Sequence, residues 1–307
     1  MKILLTGASS FTGYWFAKAL SEAGYHVVAP LRGNLDSYTQ GARAERVRRL
    51  MTIAETVGDC AFGGTRFVDL VRTGGYDLLC HHAARVGDYR SPDFDIAGAL
   101  AENTANLRSV LATLAGGGLK GVVLTGSVFE PNEGAGNTPL VAFSSYGLSK
   151  GLTAAVVHHR CHEIGLSFHK FVIPNPFGPL EEPRFCAYLM RTWKAGETAR
   201  VNTPDYVRDN ILVGLLAKTY VRYLGEVASG TATAKLNPSG YVETQGAFAK
   251  RFAAEMRPRL GLECTLELAT QTEFSEPLMR VNTDSAAHYV EDWDEQMAWD
   301  AVAEAYQ

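Results

Sequence analysis

The chain lacks the marks of several protein classes. Its 307 residues include five cysteines, Cys60, Cys80, Cys161, Cys186 and Cys264, scattered and without a CxxC pair. An odd, dispersed set excludes a disulfide framework and reads as free thiols in a reducing compartment, so a cytoplasmic location is expected. No run of 18 apolar residues occurs, which excludes a membrane-spanning helix. The opening MKILLTG ends in a glycine turn rather than at a small-residue cleavage site, so it is not a secretory signal. Neither sign of charge dominates: 29 basic against 33 acidic residues leave a net −4. There is no basic stripe of the kind that tracks nucleic acid. The densest basic cluster, Arg43, Arg46, Arg48 and Arg49 beside Glu45, reads as a solvated helix face. Metal ligation is not expected either. His81-His82 and His158-His159 are chain neighbours, whose side chains project apart on a strand and about 100° apart on a helix.

What is present is an alternation of strand and helix patterns. Lys2–Thr6 is a short apolar run, read as a buried parallel strand. Phe11–Ala23 carries Phe11, Trp15, Ala19 and Ala23 at four-residue steps and stops at Gly24, so a helix is expected. Tyr25–Leu31 reads as the next strand, which closes a βαβ unit. Strands are then expected at Asp77–His81, Gly121–Thr125 and Ser167–Ile173, with helices at Ile96–Ala115 and Tyr146–Ile164. This alternation predicts an α/β fold, a doubly wound parallel sheet of the Rossmann type with ligands beyond the carboxyl ends of its strands. Prolines 174, 176, 179 and 183 break the pattern. The expected division is a dinucleotide-binding domain over 1–174 and a smaller, mixed substrate lobe over 175–307. The boundary is soft, with segments returning to the sheet. Helices are expected in that lobe at Phe185–Ala195, Asn210–Leu224, Tyr241–Met256 and Asp284–Tyr306.

The first turn of the chain carries chemistry. Thr6-Gly7-Ala8-Ser9-Ser10-Phe11-Thr12-Gly13 lies between strand and helix. Gly7 suits the tight turn and Gly13 close packing of helix on strand. The helix N-terminus offers free N–H groups and partial positive charge to a pyrophosphate. Gly7, Ser9, Ser10, Phe11, Thr12 and Gly13 are therefore the expected cofactor cradle, with Ser10 in place of the usual middle glycine. At the tip of the second strand an NAD site carries an acid for the ribose hydroxyls. Here the chain reads Pro30-Leu31-Arg32-Gly33-Asn34. Arg32 suits an adenosine 2′-phosphate. The expected cofactor is thus NADP, with NAD held through Asp36 as the alternative.

A second constellation begins at Ser144-Ser145-Tyr146-Gly147-Leu148-Ser149-Lys150. Tyr146 and Lys150 are four residues apart, so both lie on one helix face. A free phenol titrates near pH 10 and is a poor base at neutrality. A neighbouring ammonium is expected to lower that pKa. Ser127 ends the strand Gly121–Thr125 extended through Gly126, 19 residues before Tyr146.

Taken together, TGASSFTG at 6–13, Asp59 in VGDC, HHAA at 81–84, Asn103 in AENTANL, Ser127, Tyr146-x-x-x-Lys150 and NPFGP at 175–179 resemble the extended short-chain dehydrogenase/reductase family. The likeness is to its NAD(P)-dependent epimerase/dehydratase group, which acts mainly on nucleotide sugars, and it is strong to residue 180 and weak beyond. The resemblance implies that Ser127 hydrogen-bonds the reacting oxygen, Tyr146 exchanges its proton, and Lys150 holds the nicotinamide ribose and tunes the tyrosine. It implies that Asp59 touches the adenine, that Ala83, Ala84 and Asn103 line the cofactor, and that Asn175 stands near the substrate. EPLMRVNTDSA at 276–286 resembles the family's late strand and helix start, which makes Arg280 the expected ligand of a substrate diphosphate. By the same likeness the chain forms a homodimer through the helices at 96–115 and 146–164.

Two departures refine the expected reaction. The family's dehydratases carry an acidic residue directly after the catalytic Ser/Thr. Here Val128 and Phe129 follow, and Glu130 stands one position late. The arginine usual before a His-Val-x-Asp stretch is absent from Pro204-Asp205-Tyr206-Val207-Arg208-Asp209. The expected activity is an NADP(H)-dependent 4-ketoreductase of a nucleotide-linked 6-deoxy sugar. The alternatives are a nucleotide-sugar 4-epimerase, a reductase of a non-sugar carbonyl, and a redox-sensing dinucleotide binder without turnover. Retention of the whole Ser127/Tyr146/Lys150 set argues against the sensor.

Overall fold

The computed structural model describes residues 1–89 and 91–307. Along the chain run β1 (Lys2–Thr6), α1 (Phe11–Glu22), β2 (His26–Pro30), α2 (Gly41–Ile53), β3 (Glu55–Val57), α3 (Thr65–Gly74) and β4 (Leu78–His81). They are followed by α4 (Ile96–Asn103), α5 (Leu107–Gly116), β5 (Gly121–Ser127), β6 (Ala135–Gly136), α6 (Ser145–Ile164) and β7 (Phe168–Ile173). Then come β8 (Asn175–Phe177), α7 (Phe185–Lys194), β9 (Ala199–Val201), β10 (Val207–Leu212), α8 (Val213–Ser229) and β11 (Lys235–Leu236).

The main sheet has the order β11-β7-β5-β4-β1-β2-β3, and every pair in it is parallel. β1 and β4 are neighbours, although the chain runs outward from β1 through β2 and β3 before returning. That reversal opens a crevice beyond the carboxyl ends of β1 and β4, where doubly wound folds bind ligands. The central strands are apolar on both faces because helices cover both: Leu78–His81 and Gly121–Ser127 are buried throughout. Two apolar clusters fill the layers. One lies under α1, α2 and α8 and reaches into the later half of the chain, and the other lies under α3, α5 and α6. Phe16 of α1 stacks on Tyr220 of α8 at 4.0 Å, with Phe171 of β7 edge-on to both.

The later half builds small sheets. β10 joins β8 in parallel and Tyr241–Thr244 antiparallel, which sets Asn210 beside Asn175. β9 pairs with Leu266–Leu268, and β6 with Arg280–Val281. β11 returns to the edge of the main sheet against Lys170 and Phe171.

Several boundaries differ from those read in the sequence. The helix expected over 96–115 is two helices, broken where Asn106 takes a left-handed φ of 50° and Nδ2 donates to the Gly63 carbonyl. Where helices were expected from Asn210 and Tyr241, strands come first (Val207–Leu212 and Tyr241–Thr244) and helices follow at Val213–Ser229 and Gln245–Leu260. Pairing along β10 outweighs the helical spacing there. The segment from Asp284 holds a short strand, a four-residue helix and only then Glu295–Ala305. β3 and α3 were not anticipated.

Candidate active site

The turn after β1 is built for close approach. Gly7 has φ 75°, and a Cβ there would sit 2.7 Å from the Ala83 backbone nitrogen, just beyond β4. A Cβ on Gly13 would lie 2.2 Å from the Gly7 carbonyl oxygen. No side chain fits either place, so the loop packs flat against the strand ends at the start of α1. Thr6 ties the two strands: its hydroxyl accepts from the backbone N–H groups of His82 (3.1 Å) and Ala83 (3.0 Å) and bonds Nδ1 of His81 (3.0 Å).

Ser10 has a different task from a phosphate ligand in this structure. It is the N-cap of α1, accepting from Gly13 N–H at 3.1 Å, and its hydroxyl also meets Nε2 of His82 at 2.9 Å. Thr12 reaches the same His82 nitrogen at 3.1 Å. The cap is worth about 1 kcal/mol. Burial pushes His82 down to about 3 and His81 down to about 4, so both rings are neutral at pH 7. The pair do point apart: Nε2 of His81 is bonded to the Asn103 carbonyl at 3.0 Å.

Arg46 corrects the reading of the basic cluster. Arg48 and Arg49 pair with Glu45 on the solvent side as a solvated face would, but Arg46 is 0% exposed. Its guanidinium donates to the carbonyls of Ser9 (3.0 Å) and Leu180 (2.7 Å) and to Glu182 (2.5 Å). It braces the glycine-rich turn from behind and fastens it to the loop after β8. Arg46, Val47 and Leu50 form the buried stripe of α2, and the four-residue step from Arg46 to Leu50 was the available signal.

The far end of the crevice is open and polar. Leu31 is buried, whereas Arg32 is exposed, its nearest carboxylate being Glu102 at 3.9 Å. Asp59, with φ 52°, accepts from Asn34 at 2.9 Å across the ends of β2 and β3. Asn103 is buried and its side chain is committed within the protein: Oδ1 accepts from Arg85 N–H at 2.8 Å and Nδ2 donates to Thr153 at 3.2 Å. It holds the loop after β4 against α6. Ala84 continues that loop beside Ala83.

Ser127, Tyr146 and Lys150 come together where β5 meets α6. Ser127 ends β5, 8% exposed, with its hydroxyl accepting from Phe129 N–H at 3.2 Å. α6 begins one residue before Tyr146, capped by Ser144, which accepts from Gly147 N–H. Gly147 permits this, since a Cβ there would lie 2.2 Å from the Phe129 carbonyl. Lys150 is buried and donates to the Thr125 carbonyl at 2.6 Å. The expectation that its ammonium lowers the Tyr146 phenol is not met in this structure. Desolvation, then the negative charge of Glu130, pushes the phenol up to about 12, against an opposing pull from Arg184. A phenol so placed reaches its phenolate only if positive charge is brought to it. Tyr89 and Phe94 meet its ring edge-on, each with centroids 6.0 Å away. Arg184 lies 6.0 Å from the Tyr89 ring.

Glu130 is turned into the protein. It is 0% exposed, accepts from Ser127 N–H at 2.7 Å and pairs with Lys170 at 2.5 Å. Arg280 is 1% exposed and donates to the carbonyls of Val128, Glu130, Glu133 and Val141 at 2.6–3.3 Å. This corrects its expected role: the guanidinium is spent on folding the loop after β5. Asn175, in β8, donates to the Asp209 carbonyl at 3.2 Å. Arg208 pairs with Glu276 at 2.8 Å and lies over the rings of Tyr206 and Phe143.

The model of the NAD dependent epimerase/dehydratase family matches residues 3–237. No curated protein sequence matches the chain. Solved structures share its fold at low identity. The UDP-glucose 4-epimerase of Thermotoga maritima with UDP-glucose superposes with a TM-score of 0.74 at 17% identity, covering 100% of this chain and 98% of that one. The UDP-glucuronic acid 4-epimerase of Bacillus cereus, in a mutant complex with a fluorinated UDP-sugar and NAD, gives 0.73 at 15% identity, covering 100% and 98%. The dTDP-glucose 4,6-dehydratase DesIV of Streptomyces venezuelae with NAD gives 0.70 at 14%, covering 100% and 97%.

Proposed function

Because the chain belongs to the NAD dependent epimerase/dehydratase family, we propose that it is an enzyme of sugar redox chemistry acting at C4 of a nucleotide-linked sugar, and that the reaction is a 4-epimerisation. The observation that carries this reading is the packing of the start of α6, which carries Tyr146 and Lys150, on the carboxyl end of β5, which carries Ser127, with the carboxylate of Glu130 tied to Ser127 N–H and Lys170. The residues fit a dinucleotide. The Gly7–Gly13 turn would take the pyrophosphate at the N-terminus of α1, Asp59 and Arg32 would hold the adenosine end, and Lys150 would hold the nicotinamide ribose. When bound, the cofactor supplies reversible hydride acceptance and return.

The chain's own residues do the rest. Ser127 bonds the C4 oxygen and fixes it near the phenol. Tyr146 takes the proton of that hydroxyl as the alcohol is oxidised, a step that needs its phenolate, which the positive charge of an oxidised nicotinamide would favour, and returns the proton to the oxygen as the carbonyl is reduced. Lys150, held by the Thr125 carbonyl, keeps N–H groups for the ribose. Val128 and Phe129 have no titratable group and Glu130 is locked beneath the strand, so the segment after Ser127 offers no acid and base for removal of water from C5–C6. With Arg280 withdrawn, Arg184, exposed and lying against the Tyr89 ring beside the phenol, is a candidate for an anionic part of the substrate.

One observation favours a second reading. Arg32, exposed at the tip of β2, suits NADP, and a 4-ketoreductase consumes one reduced cofactor per turnover. The two are separated by following nicotinamide absorbance while NMR monitors the sugar. Epimer interconversion without net cofactor loss supports the epimerase, and stoichiometric NADPH consumption with a 4-keto sugar supports the reductase.

A further inference from the structure

Four ionised side chains lie under the reacting group, and the proposed proton transfer uses none of them. Lys170, on β7, is set between Glu130 at 2.5 Å and Glu133 at 2.6 Å. Glu133 is also held by Lys235 of β11 at 2.9 Å and by Asn237 at 3.3 Å. Burial alone would pull Lys170 down and push Glu133 up, yet the mutual charges win, and Lys170 is raised and Glu133 lowered. The strand is thinned to admit this group: a Cβ on Gly126 would lie 2.6 Å from Cε of Lys170 and 3.1 Å from Oε1 of Glu130.

We propose that Glu130 is a positioning residue for the reaction: gripped by Lys170, it holds the Ser127 backbone at the end of β5 and supplies the fixed negative charge that balances the buried Lys150 ammonium. This rests on the reading of Ser127, Tyr146 and Lys150 as the reacting set. The physical need is plain. A buried ammonium is costly without an anion, and a single carbonyl, that of Thr125, does not neutralise it. Burial pulls Lys150 down and Glu130 opposes that pull, while Lys170 adds to it. The other charged or titratable groups around the site do not replace Glu130. Among the described residues, His81 and His82 are neutral, Arg184 is a cation lying against the Tyr89 ring, Arg280 bonds backbone carbonyls, and Glu133 is shared between Lys170 and Lys235. Buried ion pairs are weak stabilisers compared with apolar packing, so a structural tie at this place had cheaper solutions.

The test is the pH dependence of NADPH and NADH binding, read by nicotinamide fluorescence and requiring no turnover. Glu130→Gln keeps the acceptor for Ser127 N–H and removes the charge. Both Lys150 and Tyr146 should then deprotonate more easily, and the high-pH limb of binding should move down by roughly one unit. Lys170→Gln removes the opposing cation, and its limb should move up. A Glu130→Gln limb at the native position in folded protein would overturn the proposal. If that variant does not fold, a Lys170→Gln limb that stays put or moves down does the same. Because the readout is binding alone, failure of the reaction reading is seen separately, as turnover that survives Tyr146→Phe.

Discussion

At the scale of single residues, the site divides into groups facing the crevice and groups holding them. Tyr146 faces it. Tyr146→Phe should lose on the order of 10²-fold or more in kcat while cofactor binding persists, measured by turnover and by fluorescence titration. Arg32 faces it at the other end. Arg32→Ala should erase a preference for NADPH over NADH of about ten- to a hundredfold, the worth of one charge-assisted contact. Equal affinities in the native protein would make Arg32 a bystander. The placement of Ser127 at a strand end and of Tyr146 and Lys150 on one helix was legible because spacing and strand ends are visible in one dimension, and their proposed roles come from the family resemblance. It hid Glu130, Lys170 and Arg46, because a charge reads as solvated until the fold supplies its partner. Arg280 misled for the same reason: an arginine suits four backbone carbonyls as well as a diphosphate.

At the scale of elements, those whose apolar pattern and end signals agreed were legible. β1 and the βαβ unit after it, and α6 with Gly165 at φ 78° as its stop, lie where the sequence placed them to within two residues. β3 is three residues long with no buried position, so it carries no pattern to read. β10 and Tyr241–Thr244 were lost to helical spacing because their strand character comes from each other. Arg46 joins three elements, and its removal tests that junction. Arg46→Met should destabilise the protein by roughly 1–3 kcal/mol, since Ser9 and Leu180 lose donors and the half-exposed Glu182 recovers water. Cofactor affinity should fall with it. Urea melts and NADPH titration of one preparation would check both, and unchanged cofactor affinity would separate Arg46 from the cradle.

At the scale of the whole molecule, the last helix is clamped to the loop after β8. The Tyr306 hydroxyl donates to Glu181, and burial pushes that carboxyl up from 4.5 to about 7. A carboxyl raised in the folded state stabilises most below its unfolded value and loses that contribution as pH rises through the folded one. Stability should therefore decline between about pH 4.5 and 7 through this group, and Glu181→Gln should flatten that part of the urea-midpoint profile. The outer face of α6, one of the helices through which a homodimer is expected, leaves Leu148 and Leu152 about 40% exposed. Light scattering should give twice the chain mass, falling to the monomer in Leu152→Glu.

The central claim is redox chemistry at C4 without dehydration, and one measurement reaches it most directly. Purified protein is incubated with UDP- and dTDP-hexoses and either nicotinamide cofactor, and the sugar is followed by NMR as nicotinamide absorbance is recorded. The account predicts inversion at C4, with C5 and C6 intact, no net cofactor loss, and activity abolished in Tyr146→Phe. Accumulation of a 4-keto-6-deoxy sugar from a simple nucleotide hexose would contradict it, for that product needs an acid and a base where Val128 and Phe129 stand.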